Sequence, residues 1–222
     1  MKRYSAVLFD LDGTLLDTLE DLTNAVNFAL RESGYPERTL NEVRSFVGNG
    51  VGMLVRRALP AGAECDEEAC AEVLQAFKSR YAAHNGDLTV PYPGIMDMLE
   101  ALARAGVKTA IVSNKNDPNV QALTGAFFGG RIDLAVGERE GVRPKPCPDA
   151  PLQVLKQFGL RPEEALYVGD SDVDAETASN AGMPFAAVTW GFQSRERLVK
   201  AGAKTLVDTP QALLNVILGK GA

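Results

Sequence analysis

Four short segments of this chain concentrate side chains that can do chemistry. Asp10-Leu11-Asp12-Gly13-Thr14 carries two carboxylates two residues apart. Ser113-Asn114-Lys115 offers neutral donors, and Lys145 sits in Arg143-Pro144-Lys145-Pro146. Asp170 and Asp174 lie in Gly169-Asp170-Ser171-Asp172-Val173-Asp174. A carboxylate can attack phosphorus and form an aspartyl-phosphate. A second carboxyl beside it can protonate the leaving oxygen and then take a proton from the attacking water. Alternation along an extended chain aims residues two apart into one cleft, so Asp10 and Asp12 suit those two roles. Asp10, Asp170 and Asp174 offer hard oxygen ligands of the kind Mg2+ takes. Lys145 supplies a cation for phosphoryl oxygens among so many carboxylates.

Each piece alone has a plainer reading. Asp-Gly is a common turn. Ser171 and Asp172 are natural N-caps for a following helix, and capping is the weightier reading of Asp172. Ser113 and Asn114 fit an ordinary polar loop, and Lys145 fits a solvated charge. What favours chemistry is their joint occurrence in this order, at the boundaries of the elements that must carry them.

Those elements read as follows. Tyr4 to Phe9 is a buried strand ending at Asp10. Helical periodicity then takes over, with Leu19, Leu22, Val26, Ala29 and Leu30 on one face and Thr18-Leu-Glu-Asp21 resembling a capping box. Gly34 stops this helix, and Thr39-Leu-Asn-Glu42 caps a second. Gly48-Asn49-Gly50 interrupts the pattern, which resumes through Leu59. A longer helix from about Asp66 carries Ala69, Val73, Phe77 and Tyr81 on one stripe. From Pro91 onward strands and helices alternate. Strands are expected at 107–112, 132–136, 165–168, 185–189 and 204–207. Helices are expected after Gly94, from an Asp117 N-cap with proline at N1, from Asp149 to Phe158, from Asp172 to Ala181, and after Thr209-Pro210. This alternation predicts an α/β fold, a doubly wound parallel sheet with a Rossmann-like core. The expected division is a core of residues 1–15 and 89–222, interrupted by an α-helical insertion of residues 16–88. In such a sheet ligands bind beyond the carboxyl ends of the strands at the topological switch point. The chemical segments are expected to converge there.

Composition narrows the partners. The chain has 222 residues, 23 basic and 29 acidic, for a net charge of −6. That balance argues against nucleic-acid or anionic-membrane binding. No run approaches the ~18 apolar residues of a membrane span. The three cysteines, Cys65, Cys70 and Cys147, match no metal spacing. With no signal-like start, a cytoplasmic setting is expected. The single histidine, His84, has nothing nearby to complete a triad and reads as a surface residue.

The order Asp-x-Asp, Ser, Lys, Gly-Asp-x-x-x-Asp resembles the haloacid dehalogenase superfamily of aspartate-nucleophile phosphotransferases, over essentially the whole chain. Phe9-Asp-Leu-Asp-Gly-Thr-Leu-Leu-Asp17-Thr18, Val47-Gly-Asn-Gly50, Ser113-Asn-Lys115 and Lys145-Pro-Cys-Pro148 look most like its phosphoglycolate phosphatase branch. The resemblance implies that Asp10 is the nucleophile and a Mg2+ ligand. It implies that Asp12 is the general acid/base, its backbone carbonyl also touching the metal. Ser113 and Lys145 would hold the phosphoryl oxygens, with Gly13, Thr14 and Asn114 shaping their pocket. Asp170 would be the third protein ligand to Mg2+, and Asp174 would orient Lys145 or a metal-bound water. The helical insertion would be a cap domain, with Gly48, Asn49 and Gly50 as its substrate loop.

The resemblance implies a phosphatase of a small phosphorylated metabolite, most of all 2-phosphoglycolate, acting as a monomer or homodimer. Alternatives in the same superfamily are a pyrophosphatase, a sugar- or nucleotide-phosphate phosphatase, and a phosphomutase. Residues 16–77 contain no lysine, which leaves no early cap lysine for phosphonatase chemistry. From other classes, a response-regulator receiver and a catalytically silent binding protein compete. The chain is about 100 residues too long for the former, and its intact acidic set argues against the latter. Arg44, Arg56 and Arg57 read mainly as solvated helix charges. Trp190, Phe192, Cys65 and Cys70 read as packing, and Cys147 as a thiol whose modification would disturb Lys145.

Overall fold

A computed structural model describes residues 2–63 and 66–220. The chain divides into two compact units, Met1–Leu16 with Pro91–Ala222, and Asp17–Val90. The first unit is built on a parallel sheet of β1 (Ala6–Phe9), β4 (Lys108–Asn116), β5 (Leu134–Glu138), β6 (Ala165–Gly169), β7 (Phe185–Val188) and β8 (Leu206–Val207). Its strand order is β5-β4-β1-β6-β7-β8. All four residues of β1 are buried, as a strand covered on both faces requires. Alternate residues feed two cores. Val7, Phe9, Ile111 and Val168 pack with α5 (Ile95–Arg104), α6 (Asp117–Phe128) and α10 (Pro210–Leu218). Ala6, Leu8, Val112 and Tyr167 pack with α7 (Asp149–Phe158) and α8 (Asp172–Asn180). Helices on both faces make the sheet doubly wound, as expected.

The order also locates the switch point. From β1 the chain moves outward to β4 and β5, then crosses to β6 on the other side of β1. The crevice beyond the ends of β1 and β6 is where ligands of such sheets bind. Asp10 directly follows β1, and Asp170 directly follows β6.

The second unit holds α1 (Leu19–Glu32), α2 (Leu40–Phe46), α3 (Gly50–Ala58) and α4 (Glu67–Ala83). Leu19, Leu22, Val26, Ala29 and Leu30 of α1 are buried. So are Ala69, Val73, Phe77 and Tyr81 of α4, with the last two rings stacked 5.4 Å apart. Both stripes follow the predicted helical spacing. The chain passes between the units through β2 (Leu16–Asp17) and β3 (Val90–Pro91), which pair as a two-stranded ribbon.

Several local expectations shift. Thr18 makes no side-chain cap to α1. Its expected box partner, Asp21, is buried and accepts hydrogen bonds from Leu88 N, Thr89 N and Thr89 Oγ1 at 2.7–3.1 Å. A carboxylate offered three donors across the loop after α4 has no reason to turn back to its own helix end. The Thr39–Glu42 capping box of α2 is present. β4 runs four residues further than expected, so Ser113, Asn114 and Lys115 lie on the strand itself. The N-cap of α6 is Asn116, one residue earlier than expected, because the Asp117 carboxylate accepts from Gly137 N at 2.7 Å. The cap of α8 is Ser171, boxed with Asp174. Asp172 instead meets Arg197 at 2.8 Å and Gln193 at 2.9 Å. Helix α9 (Arg195–Lys200) was not expected. Cys65 lies outside the described residues, and Cys70 is half-buried on α4.

Candidate active site

The strand ends bring together residues up to 164 positions apart in sequence. Lys145 is the hub. Its Nζ lies 2.8 Å from Asp10 Oδ1 and 2.8 Å from Asp174 Oδ1, and its side chain is almost fully buried. The loop that carries it is clamped by Asn114. Lys145 N donates to Asn114 Oδ1 at 2.7 Å, and Asn114 Nδ2 donates to Lys145 O at 3.0 Å. Asn114 was expected to shape a phosphoryl pocket. Its side-chain amide fixes the backbone of Lys145.

Asp174 works in two directions. Oδ1 accepts from Lys145, while Oδ2 accepts from Ser171 Oγ at 2.6 Å and Ser171 N at 3.2 Å. The expected orienting contact to Lys145 is therefore present. Asp170 is enclosed by backbone. Phe192 N donates to its Oδ2 at 2.6 Å, and Thr14 Oγ1 lies 3.5 Å from its Oδ1. A Cβ at Gly13 or Gly191 would overlap Asp170. Gly13 also has φ +81°, which a side chain resists. Gly13 and Thr14, both expected in the phosphoryl pocket, lie directly against Asp170. The Trp190-Gly191-Phe192 turn is a part of the site that sequence reasoning missed. By residue type alone Trp190 and Phe192 read as packing. Yet Phe192 gives Asp170 a backbone donor, and Trp190 Nε1 donates to Thr14 O at 3.1 Å. A Gly flanked by aromatics after β7 was the available signal.

Asp12 Oδ1 lies 3.0 Å from Lys115 Nζ. Ser113 is buried at the end of the same strand as Lys115, and its Oγ accepts from Lys115 N at 3.1 Å.

The site's electrostatics ask for positive charge. Asp10, Asp170 and Asp174 can each place one carboxylate oxygen within 4.8 Å of the others. Burial pushes the Asp10 carboxyl up to about 7, against the pull of Lys145, with Asp174 and Asp12 adding to the rise. Burial, then Asp174 and Asp10, likewise holds Asp170 well above the usual carboxylate range. Burial disfavours the Lys145 ammonium, but Asp10 and Asp174 outweigh it and keep it charged. One ammonium among three buried carboxylates leaves the cluster over-supplied with negative groups. Hard oxygen donors in that state fit a divalent cation.

In the helical unit, Asn49 Oδ1 accepts from Arg57 Nη2 at 2.7 Å, and Arg57 Nη1 also reaches Phe46 O at 2.8 Å. Gly48 and Gly50 both adopt positive φ. Arg56 pairs with Glu67 at 2.8 Å. His84 caps α4 at its C-terminus and sits 2.8 Å from Asp87. Among the described residues, no helix is long and apolar enough to cross a membrane.

A family model of haloacid dehalogenase-like hydrolases matches residues 7–188. The chain belongs to that family. It is 39% identical over 212 residues to phosphoglycolate phosphatase 1 of Pseudomonas aeruginosa, covering 94% of this chain and 78% of the relative. Phosphoglycolate phosphatase of Aquifex aeolicus is 36% identical over 187 residues, or 84% of this chain and 85% of the relative. Among solved structures, a proposed phosphoglycolate phosphatase from Lactobacillus delbrueckii subsp. bulgaricus superposes with a TM-score of 0.94 at 38% identity. That match covers 99% of this chain and 100% of the other.

Proposed function

We propose that this chain is a Mg2+-dependent phosphatase of small phosphate monoesters, with 2-phosphoglycolate as its substrate and glycolate as its product. The observation that carries the reading is the Lys145 ammonium shared by Asp10 and Asp174, beside Asp170, at the switch point of the sheet. The relatives named for phosphoglycolate supply the substrate. Residues 16–88 are read as a cap domain that selects the leaving group, with Gly48, Asn49 and Gly50 as its substrate loop. We place the enzyme in the cytoplasm, as a monomer or homodimer.

In this mechanism Asp10 attacks phosphorus, and the bond to the ester oxygen breaks as Asp12 gives that oxygen a proton. Asp12, now a carboxylate, takes a proton from the water that attacks the aspartyl-phosphate, and Asp10 leaves with its electron pair. Lys145 and Ser113 donate to the phosphoryl oxygens throughout, which is the positioning and charge compensation phosphoryl transfer requires. Asp10, Asp170 and the Asp12 backbone carbonyl are the residues assigned to Mg2+, with Asp174 steadying Lys145. When bound, the ion neutralises charge on the carboxylates and the phosphoryl group.

The test is kcat/KM over a panel of phosphorylated metabolites, with and without Mg2+. 2-Phosphoglycolate is expected to lead the panel, with activity lost on chelation. A sugar phosphate or pyrophosphate that outruns it by tenfold would move the substrate, and metal-independent turnover would remove the mechanism.

A further inference from the structure

Lys115 is a buried lysine with no role in the scheme above. Its side chain is 4% exposed, and its Nζ lies 3.0 Å from Asp12 Oδ1. Taking an ammonium out of water costs several kcal/mol unless it is well paired. A methionine would fill the same volume at no such cost, so the charge itself calls for an explanation. Lys115 stands two residues beyond Ser113 on β4, and its backbone N donates to Ser113 Oγ at 3.1 Å. The pairing of β4 with β5 shifts register between Val112 and Asn116, where strand irregularities re-aim side chains.

We propose that Lys115 is a positioning residue for the proton transfers of Asp12. The proposal rests on the reading of Asp12 as general acid/base. A lysine ammonium only donates, so the Asp12 oxygen facing it must accept. The contact at Oδ1 holds the carboxyl plane in one orientation and directs a proton on Asp12 away from the ammonium. The same residue sets a second group. Because Lys115 N donates to Ser113 Oγ, the hydroxyl hydrogen of Ser113 is left to point at a phosphoryl oxygen. One strand-end residue thereby orders the acid on one side of the phosphoryl group and a donor on the other. A backbone donor survives replacement of the side chain by methionine, glutamine or arginine, so the two effects separate by mutation.

The experiment compares Lys115→Met, Lys115→Gln and Lys115→Arg with Asp12→Asn and the Asp12→Asn/Lys115→Met double variant in the full-length protein. Each is assayed with Mg2+ on p-nitrophenyl phosphate, which leaves without a proton, and on an alkyl phosphate, which does not. The parameter is kcat/KM, which reports the steps up to phosphoryl transfer and excludes hydrolysis of the intermediate. Lys115→Met is expected to lose roughly 30-fold or more on the alkyl ester and under about threefold on the aryl ester, since proton transfer contributes ~10²–10⁴-fold. Lys115→Gln should show the same bias, which covers poor folding of the methionine variant, and Lys115→Arg should recover part of the loss. In the Asp12→Asn background Lys115→Met should cost little more. Equal losses on both esters, or full additivity with Asp12→Asn, would overturn the role of Lys115. If Asp12→Asn itself shows no leaving-group bias, the acid/base reading falls, and the proposal falls with it. If only Lys115→Met lacks the bias, the reading stands and the proposal alone fails.

Discussion

Asp10 and Asp21 are both buried aspartates, one in each compact unit, and they are buried on different terms. Asp21 sits in the helical unit and receives two backbone N–H groups and a hydroxyl. Its charge is spread over local donors, as in a structural carboxylate. Asp10 faces Lys145, and it shares that lysine with a second buried carboxylate. Burial drives its carboxyl up to about 7. The rest of the helical unit places its ion pairs at the surface, as with Arg31–Glu37 and Arg56–Glu67, where such pairs contribute little. Burial of an acid is therefore not what marks a site. What marks this one is an acid left under-compensated by the fold, in a protein that could have satisfied it.

That contrast breaks most sharply at the two aspartates themselves. Asp10→Asn is expected to cut turnover of p-nitrophenyl phosphate by at least about 10³-fold, the loss typical of removing a nucleophile. Its Tm should hold or rise, since an amide removes one charge from a crowded cluster. Asp21→Asn should do the reverse. Unsatisfied partners of a buried group cost about 1–3 kcal/mol, so Tm should fall by several degrees while kcat/KM stays within a few-fold at a temperature where the variant is folded. Thermal melts and steady-state rates on the same preparations check both. A large Tm loss in Asp10→Asn with activity intact would erase the distinction.

The same contrast predicts a pH dependence. The Asp10 carboxyl in the metal-free fold is raised from 3.8 to about 7. Between those values the folded state holds a proton that the unfolded chain has released, so the contribution of this group to stability declines as pH rises from about 4 to 7. A divalent cation reverses the need for that proton. The Tm gain on adding Mg2+ is expected to be larger at pH 7.5 than at pH 5, measured by melts with and without chelator. An Asp21→Asn variant should keep this pH-dependent gain, and an Asp10→Asn variant should lose much of it. Equal gains at both pH values would mean that the cluster is not where the ion acts.

How much of this was legible from the sequence follows the range of the interaction involved. Strands, helix faces and the switch point were readable because periodicity of 2 or 3.6 residues is a local signal, as in β1 and the Ala69–Tyr81 stripe of α4. Asp10, Asp12, Ser113 and Asp170 could be named because they lie at the ends of strands that one topology must gather, and Lys145 because it offers a cation among their carboxylates. The partner of each polar group was not readable. Asp21 looked like a cap and became a loop anchor, because its donors come from residues 67 and 68 positions away. Nothing local told that the Asn114 side chain clamps the backbone of Lys145, 31 positions away. Ser171 and Asp172 both looked like caps of α8; Ser171 takes that place, and Arg197 and Gln193, in and beside an unexpected helix, take the Asp172 carboxylate. Nothing local distinguishes Lys115 from a surface lysine until Asp12 is brought to it.

The smallest expected effect comes from one motif used in both units. Thr39 and Glu42 box the start of α2, and Ser171 and Asp174 box the start of α8. Removing either cap hydroxyl should cost about 0.5–2 kcal/mol of stability. Thr39→Ala should stop there, because among the described residues the Glu42 carboxylate serves the helix end and nearby Arg38. Ser171→Ala removes the 2.6 Å donor to Asp174 Oδ2, whose other oxygen holds Lys145. The carboxylate then gains freedom to turn, and the ammonium that Asp10 shares with it loses its fixed position. Ser171→Ala is therefore expected to lower kcat several-fold beyond its stability cost, with Ser171→Thr restoring most of it. Unchanged kcat in Ser171→Ala would mean that packing alone seats Asp174, and that the second box is as purely structural as the first.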